Sequence, residues 1–270
     1  MIRTITKRLL SLLPHPLDLR ATEILRSLRS ARHREGRRAT FRALHELGHP
    51  TTVLTGPFRG MRCIAEPGAQ GGLIPKILGT YERELHAVME RVLAWSPSLI
   101  VDIGAADGYY AVGLAVALPS ARVIAFEMDK PLRGAIAVLA HANEVEDRVD
   151  IRGQCDPGLL EAALIAAGGS SSILICDVEG YEEVLLDPAA VPSLHKTSIL
   201  CEVHDALRPG VGAVLRERFG ASHALEVVES RERSSADIPP GFSLRDPVSV
   251  LHEGRTSRME WLLMVPRVSS

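Results

Sequence analysis

From Ser98 onward, short continuous apolar runs alternate with segments whose apolar residues recur every three or four positions. Continuous runs suit strands buried on both faces, and the intervening spacing suits helices that cross over between parallel neighbours. Strands are predicted at 98–103, Arg122–Phe126, Val149–Arg152, Ser172–Cys176 and Thr197–Glu202, and helices at 109–118, 130–143, 157–167 and 181–187. Two later runs, Ala224–Glu229 and Met259–Val265, have no strong helix between them and are expected as an antiparallel hairpin at one sheet edge. The Pro-, Ser- and Arg-rich stretch from Arg231 to Arg258 is then a long insertion in that hairpin, and such loops tend to be functional or disordered.

Upstream the pattern changes, which divides the chain into a basic helical appendage (1–50), a linker or lid with a leading helix (51–97) and a main domain (98–270). In the appendage Leu17, Ala21, Ile24, Leu25 and Leu28 keep helical spacing after the breaks at Pro14 and Pro16. Arg3, Lys7, Arg8, Arg20, Arg26, Arg29, Arg32, Arg34, Arg37 and Arg38 outweigh Asp18, Glu23 and Glu35 there. Two readings stay open: an amphipathic helix packed on the main domain with solvated arginines, or a basic arm for an anionic partner, nucleic acid or lipid head groups. Between Thr51 and Leu78, Val53–Leu54 and Met61–Ile64 are the only strand-like runs, expected as a hairpin in a Gly- and Pro-rich stretch. Thr80 is placed to cap a helix with Glu82 and Glu84 in its first turn and Leu85, Val88, Met89, Val92 and Leu93 on its apolar face, ended by Pro97.

Composition narrows the picture modestly. With 31 Lys and Arg against 33 Asp and Glu in 270 residues, overall charge makes no case for nucleic acid or an anionic membrane. Cys63, Cys155, Cys176 and Cys201 form no C-x-x-C pair, so reduced thiols and a cytoplasmic setting are expected. The apolar stretch Leu9–Leu13, cut by Pro14, is too short for a signal sequence or a membrane span.

The chemistry concentrates in Leu99–Tyr110, a buried-strand pattern running into a glycine turn that opens a helix. Gly104 and Gly108 remove Cβ atoms where the backbone must turn tightly and approach a ligand, and the helix aims free N–H groups at it. The turn reads D-x-G-x-x-D-G rather than the dinucleotide G-x-G-x-x-G, and two carboxylates there would repel a pyrophosphate. They suit a ligand with an amine and a sulfonium, S-adenosylmethionine (SAM). With an acid after the second strand and a final strand pair, Gly79–Pro266 resembles a class I SAM-dependent methyltransferase. Within it Asp177-Val178-Glu179-Gly180-Tyr181-Glu182 resembles the D-x-E-G-x-E segment of the FkbM-type methyltransferases. That resemblance implies a Rossmann-like α/β fold: a seven-stranded, mostly parallel sheet ordered 3-2-1-4-5-7-6 with helices on both faces. The cofactor would lie outside the carboxyl ends of strands one and four, and the default reaction would be O-methylation of a small-molecule or glycan hydroxyl.

By the same resemblance Asp102 helps hold the methionine amine, and Gly104, Ala105 and Gly108 form the cofactor turn. Asp107 either contacts the amino-acid end or caps the helix near Tyr109. Glu127, 19 residues past Gly108, stands where a second-strand acid meets ribose hydroxyls. Gln154, Cys155 or Asp156 is placed to border the base, although Asp156 before Pro157 is also a natural helix cap. Tyr81 and Glu82 resemble a segment that folds over the cofactor, the alternative being a simple helix start.

A hydroxyl acceptor needs its proton removed, which calls for a base near the sulfonium. Asp177, at the end of strand four, is the first acidic candidate and Glu179 follows it. Glu202 and His204, two apart on strand five, are expected on one face, with Glu202 or Asp205 orienting His204. Asp177, Glu179, Glu202 and His204 also offer donors for a divalent cation, but no spacing demands a metal and none is expected. A dehydrogenase is disfavoured by Asp107 and the missing third glycine. A binding or RNA-methylating module using the basic arm is the other class; the fourth strand lacks the N-P-P-Y or D-P-P-Y signature, and aromatic residues at 4% advertise no base-stacking platform.

Overall fold

The structure, a computed structural model, describes residues 38–40, 42–64, 72–166, 171–253 and 259–267. The expectations for residues 1–37, including most of the basic arm, lie outside the described residues. Among the described residues seven strands form one sheet in the order β3-β2-β1-β4-β5-β7-β6. They are β1 Leu99–Ile103, β2 Arg122–Phe126, β3 Val149–Arg152, β4 Ser172–Cys176, β5 Ser198–Val203, β6 His223–Glu229 and β7 Glu260–Pro266. The first five pair in parallel, and β7 runs antiparallel to both β5 and β6. Ile103 of β1 lies opposite Phe126 of β2 and Cys176 of β4, so three strand tips end flush at one edge. There the sheet order reverses direction, which opens a crevice between β1 and β4.

Period-two alternation sends Ile100, Val123, Ile173 and Leu200 to one face of the sheet and Val101, Ile124, Leu174 and Ile199 to the other. Helices cover both faces. Against the first pack α2 (His86–Trp95), α3 (Tyr109–Ala117) and α4 (Lys130–Ala142), through Val88, Val92, Val112, Leu114 and Ile136. Against the second pack α5 (Pro157–Ile165), α6 (Glu182–Leu185) and α7 (Val211–Phe219), through Leu160, Leu164, Leu185, Leu215 and Phe219. Burying aliphatic side chains on both faces, at about 1.5–3 kcal/mol each, explains why the strands read as continuous apolar runs. Among the described residues no helix is long and apolar enough to cross a membrane.

Several elements depart from the sequence expectation. α7 had no predicted counterpart, although Val211, Leu215 and Phe219 at fourfold spacing after Gly210 form its buried stripe. Thr80 caps nothing: its hydroxyl is buried with no partner among the described residues. Glu82, at φ 45°, breaks the helical path, so a 3-10 turn at Arg83–Leu85 precedes α2. The expected hairpin near residues 52–64 reduces to a single antiparallel bridge between Thr52 and Arg62.

The insertion is folded onto the body in its described part. Leu244, Val250 and Leu251, the last two in α8 (Pro247–Leu251), share a small core with Ala39, Ala43, Leu44 and with Ile74, Ile77 and Leu78 of α1 (Leu73–Leu78). Arg233 fixes this unit from beneath: its guanidinium meets Glu253 at 2.7 and 2.9 Å and Glu84 at 2.6 Å, all three side chains being buried. A buried cation with two carboxylates holds such a geometry because removing one partner strands a charge.

Candidate active site

The tips of β1 and β4 touch backbone to backbone. Gly104, at φ 82°, would place an added Cβ 1.8 Å from the Asp177 carbonyl oxygen, so only glycine fits. The N–H groups of Gly104 and Ala105 donate to Phe126 O at 2.9 and 3.1 Å, tying the turn to β2 as well. Gly108, at φ 89°, precedes α3 without a capping side chain, leaving the helix start turned toward the crevice.

Asp102 lies beneath this turn with 3% of its surface exposed. Its Oδ2 has no hydrogen-bond partner among the described residues. Burial raises its pKa to about 7; the Ala111 N–H opposes that rise, and the charges of Glu127 and Asp107 add to it. Among the described residues no cation pairs with this buried carboxyl. Glu127 is wired into the turn: Oε2 accepts the Ala106 N–H at 2.9 Å and Oε1 the Asp129 N–H at 2.8 Å. Beside it in sequence, Met128 is 75% exposed.

Asp107 does not cap α3, since Gly108 occupies the position before that helix and no side chain caps it. Its carboxylate instead grips Lys76 Nζ at 2.6 and 2.8 Å. Lys76 also lies over the rings of Tyr81 (4.9 Å) and Tyr109 (5.5 Å), a contact the sequence reading missed. Tyr81 packs edge-on against Tyr109, and Glu82 accepts the Tyr110 hydroxyl at 2.5 Å, so both reach the β1–α3 turn. Glu82 is also the residue before the 3-10 turn that leads into α2, so the two lie at a helix start as well. On β3's far side Gln154 is exposed, whereas Cys155 joins the second core cluster. Burial, with smaller contributions from Cys176 and Asp156, raises the Cys155 thiol to about 12. Asp156 caps α5 by accepting the Leu159 N–H at 2.8 Å.

The second cluster lies at the tips of β4 and β5. His204 is 2% exposed, and its Nδ1 lies 2.5 Å from Oε1 of the fully buried Glu182. Glu182 also accepts the Gly180 N–H at 3.0 Å. Neither Glu202 nor Asp205 orients the ring, which corrects the expectation. Asp205 accepts the N–H groups of Gly210 and Gly212 at 3.0 and 3.1 Å instead. The positive-φ pair Glu179 and Gly180 folds the chain back so that Glu182, the last acid of D-x-E-G-x-E, meets the histidine. That motif was the available signal.

Imidazole Nε2 faces three carboxylates: Asp177 at 3.5 Å, Glu179 at 3.6 Å and Glu202 at 3.7 Å. Burial acts to lower the His204 pKa, but the Glu182 bond and the charges of Glu202, Glu182 and Glu179 outweigh it and raise it. For Glu182 burial acts upward, and the bonds from His204 and the Gly180 N–H win, holding it below the usual range. Asp177 stands well above the carboxylate range through burial first, then the charges of Glu202, Glu82 and Glu179. Such a cluster can take up a proton. Asp177, Glu179 and His204 also present ligand atoms within 4.8 Å of one another, a spacing open to a divalent cation.

The sheet order with its one strand antiparallel to both neighbours is that of the class I methyltransferase fold. No protein-family model and no curated protein matches the chain. Solved structures similar to it include the O-methyltransferase TomG from Streptomyces achromogenes, involved in tomaymycin synthesis and in complex with SAM. It is 14% identical, with 86% of this chain and 90% of that one covered at a TM-score of 0.44. An O-methyltransferase from Bacillus cereus in complex with SAH is 16% identical over 65% and 77% of the two chains, TM-score 0.40. A precorrin-6y C5,15-methyltransferase from Geobacter metallireducens is 12% identical over 67% and 88%, TM-score 0.44.

Proposed function

We propose that the chain is a SAM-dependent methyltransferase of FkbM type that methylates a hydroxyl on a small molecule or glycan. One observation carries this reading. A buried carboxyl whose Oδ2 has no partner among the described residues, Asp102, lies beneath a turn that admits no Cβ at Gly104 and close enough to a second acid, Glu127, to feel its charge. That arrangement fits a cationic adenosyl ligand: Asp102 would meet the ammonium, and Glu127, whose two oxygens each keep a free lone pair, the ribose hydroxyls. Met128 would supply an apolar wall for the base. When bound, SAM supplies a methyl group already activated on a sulfonium.

The chain's own task is then to align an acceptor and remove its proton. Alignment alone can supply effective molarities of about 10⁵–10⁸ M. Glu182 holds Nδ1 of His204, which leaves Nε2 to take the acceptor's proton, with Asp177 and Glu202 stabilising the imidazolium that results. Glu82, which accepts the Tyr110 hydroxyl, lies close enough to Asp177 to raise its pKa. Three buried free thiols, Cys155, Cys176 and Cys201, suit a reducing compartment, so we assign the protein to the cytoplasm.

Incubation with methyl-labelled SAM and lysate fractions tests the reaction class. Label entering small molecules or glycans through an alkali-stable ether supports the proposal; label confined to RNA or protein contradicts it.

A further inference from the structure

Acids fit the ammonium and sulfonium of SAM but leave its carboxylate unmatched, and the methionine end is a zwitterion. The structure offers a matching pair. Lys76 reaches from the last turn of α1 to the β1–α3 turn, where its Nζ lies 2.6 and 2.8 Å from the two Asp107 oxygens. The lysine side chain is 18% exposed and the aspartate 44%, so the pair is partly shielded yet open to water on the aspartate side. The rings of Tyr81 and Tyr109, 4.9 and 5.5 Å from Nζ, flank the ammonium and limit where it can move. Asp107 belongs to the same loop as Gly104 and Gly108 and is close enough to Asp102 to act on its ionisation.

We infer that Lys76 is the receptor for the carboxylate at the amino-acid end of the ligand, with Asp107 joining Asp102 on the adjoining ammonium. This rests on the SAM reading above. In the free protein the two side chains satisfy each other, and binding replaces one internal ion pair with two ion pairs to the ligand. The exchange keeps both charges compensated throughout, so neither is stranded in the crevice. It also selects for an intact amino-acid group: a ligand with the ammonium but no carboxylate must break the Lys76–Asp107 pair without giving Lys76 a new partner.

Calorimetric titration with SAM, with decarboxylated SAM and with 5′-methylthioadenosine, which lacks the whole amino-acid group, tests this. Wild type should bind SAM about 10- to 100-fold more tightly than decarboxylated SAM, the range of a charge-assisted contact. Lys76→Gln should erase that preference, weakening SAM by a similar factor and leaving 5′-methylthioadenosine within about twofold. Lys76→Arg should restore most of it. Equal wild-type affinity for SAM and decarboxylated SAM overturns the inference without any variant. A Lys76→Gln protein that loses all three ligands alike also overturns it, since Lys76 would then only pin α1 to the turn. If wild type binds none of the three, the SAM reading itself has failed; if it binds 5′-methylthioadenosine and SAM equally, only the Lys76 inference has.

Discussion

Replacing Glu127 with alanine separates a ligand contact from a structural one, because its carboxylate does both jobs. Each oxygen already accepts a backbone N–H, from Ala106 and from Asp129, and each retains a lone pair toward the crevice. Losing charge-assisted bonds to the ribose hydroxyls, worth about 1.5–3 kcal/mol, weakens SAM about 10- to 100-fold. Ala106 and Asp129 are both exposed, so water takes over their N–H groups. The stability loss is then only the net value of two ordinary bonds, about 1–3 kcal/mol. Calorimetry with SAM, SAH and adenosine is the assay for affinity, and urea unfolding for stability. All three ligands carry the ribose, so all three should weaken by similar factors. Glu127→Gln should not rescue, because its NH₂ group would face one of the two N–H donors. An Ala or Gln variant binding SAM with wild-type affinity would refute the assignment of Glu127 to the site.

Asp102→Asn should weaken SAM by about 10-fold or more yet stabilise the free protein at pH 8 by roughly 1–4 kcal/mol. The native carboxyl keeps its proton up to about 7 while the unfolded one releases it near 3.8, so wild-type stability falls as pH rises between those values, and the variant escapes that loss. Urea titrations at pH 4 and pH 8 check this; a gain equal at both pH values contradicts it. Gly104→Ala should cost at least about 2 kcal/mol through its positive φ and the backbone collision, whereas Gly134→Ala, in α4 with open space around it, should gain about 0.5–1 kcal/mol. Equal unfolding midpoints for the two variants would sink that reasoning. Turnover should decline as pH falls through a His204 pKa above 6.5, and Glu182→Gln should move that limb to lower pH while lowering the maximum, since Glu182 favours the imidazolium. A limb that stays in place argues against His204 as the base. Activity should survive exhaustive chelation; a loss restored by Mg²⁺ would make His204 a metal ligand instead.

Much of the frame was legible because it depends on local pattern. β1 to β5 read as apolar runs since both sheet faces are buried, and Gly104 and Gly108 were visible because the turn takes positive φ at both and packs Gly104 directly on Asp177 O. The place of Glu127 just past β2 followed from strand–helix–strand spacing. What escaped depends on tertiary contact. The Glu182–His204 bond joins residues 22 apart through a turn at positive φ, and Lys76 finds Asp107 across 31 residues from a Gly- and Pro-rich stretch with no period to read. α7 was missed for a different reason: Arg216, Glu217 and Arg218 mask an apolar stripe of only three residues.

Titrating the intact protein with SAM, with NAD as the control, tests the central claim most directly. A saturable one-to-one isotherm for SAM alone, with uptake of SAM tighter at pH 8 than at pH 6 because Asp102 must surrender its proton to meet the ammonium, is the predicted result. Heat from NAD, or no heat from SAM up to about millimolar concentration, would contradict the account.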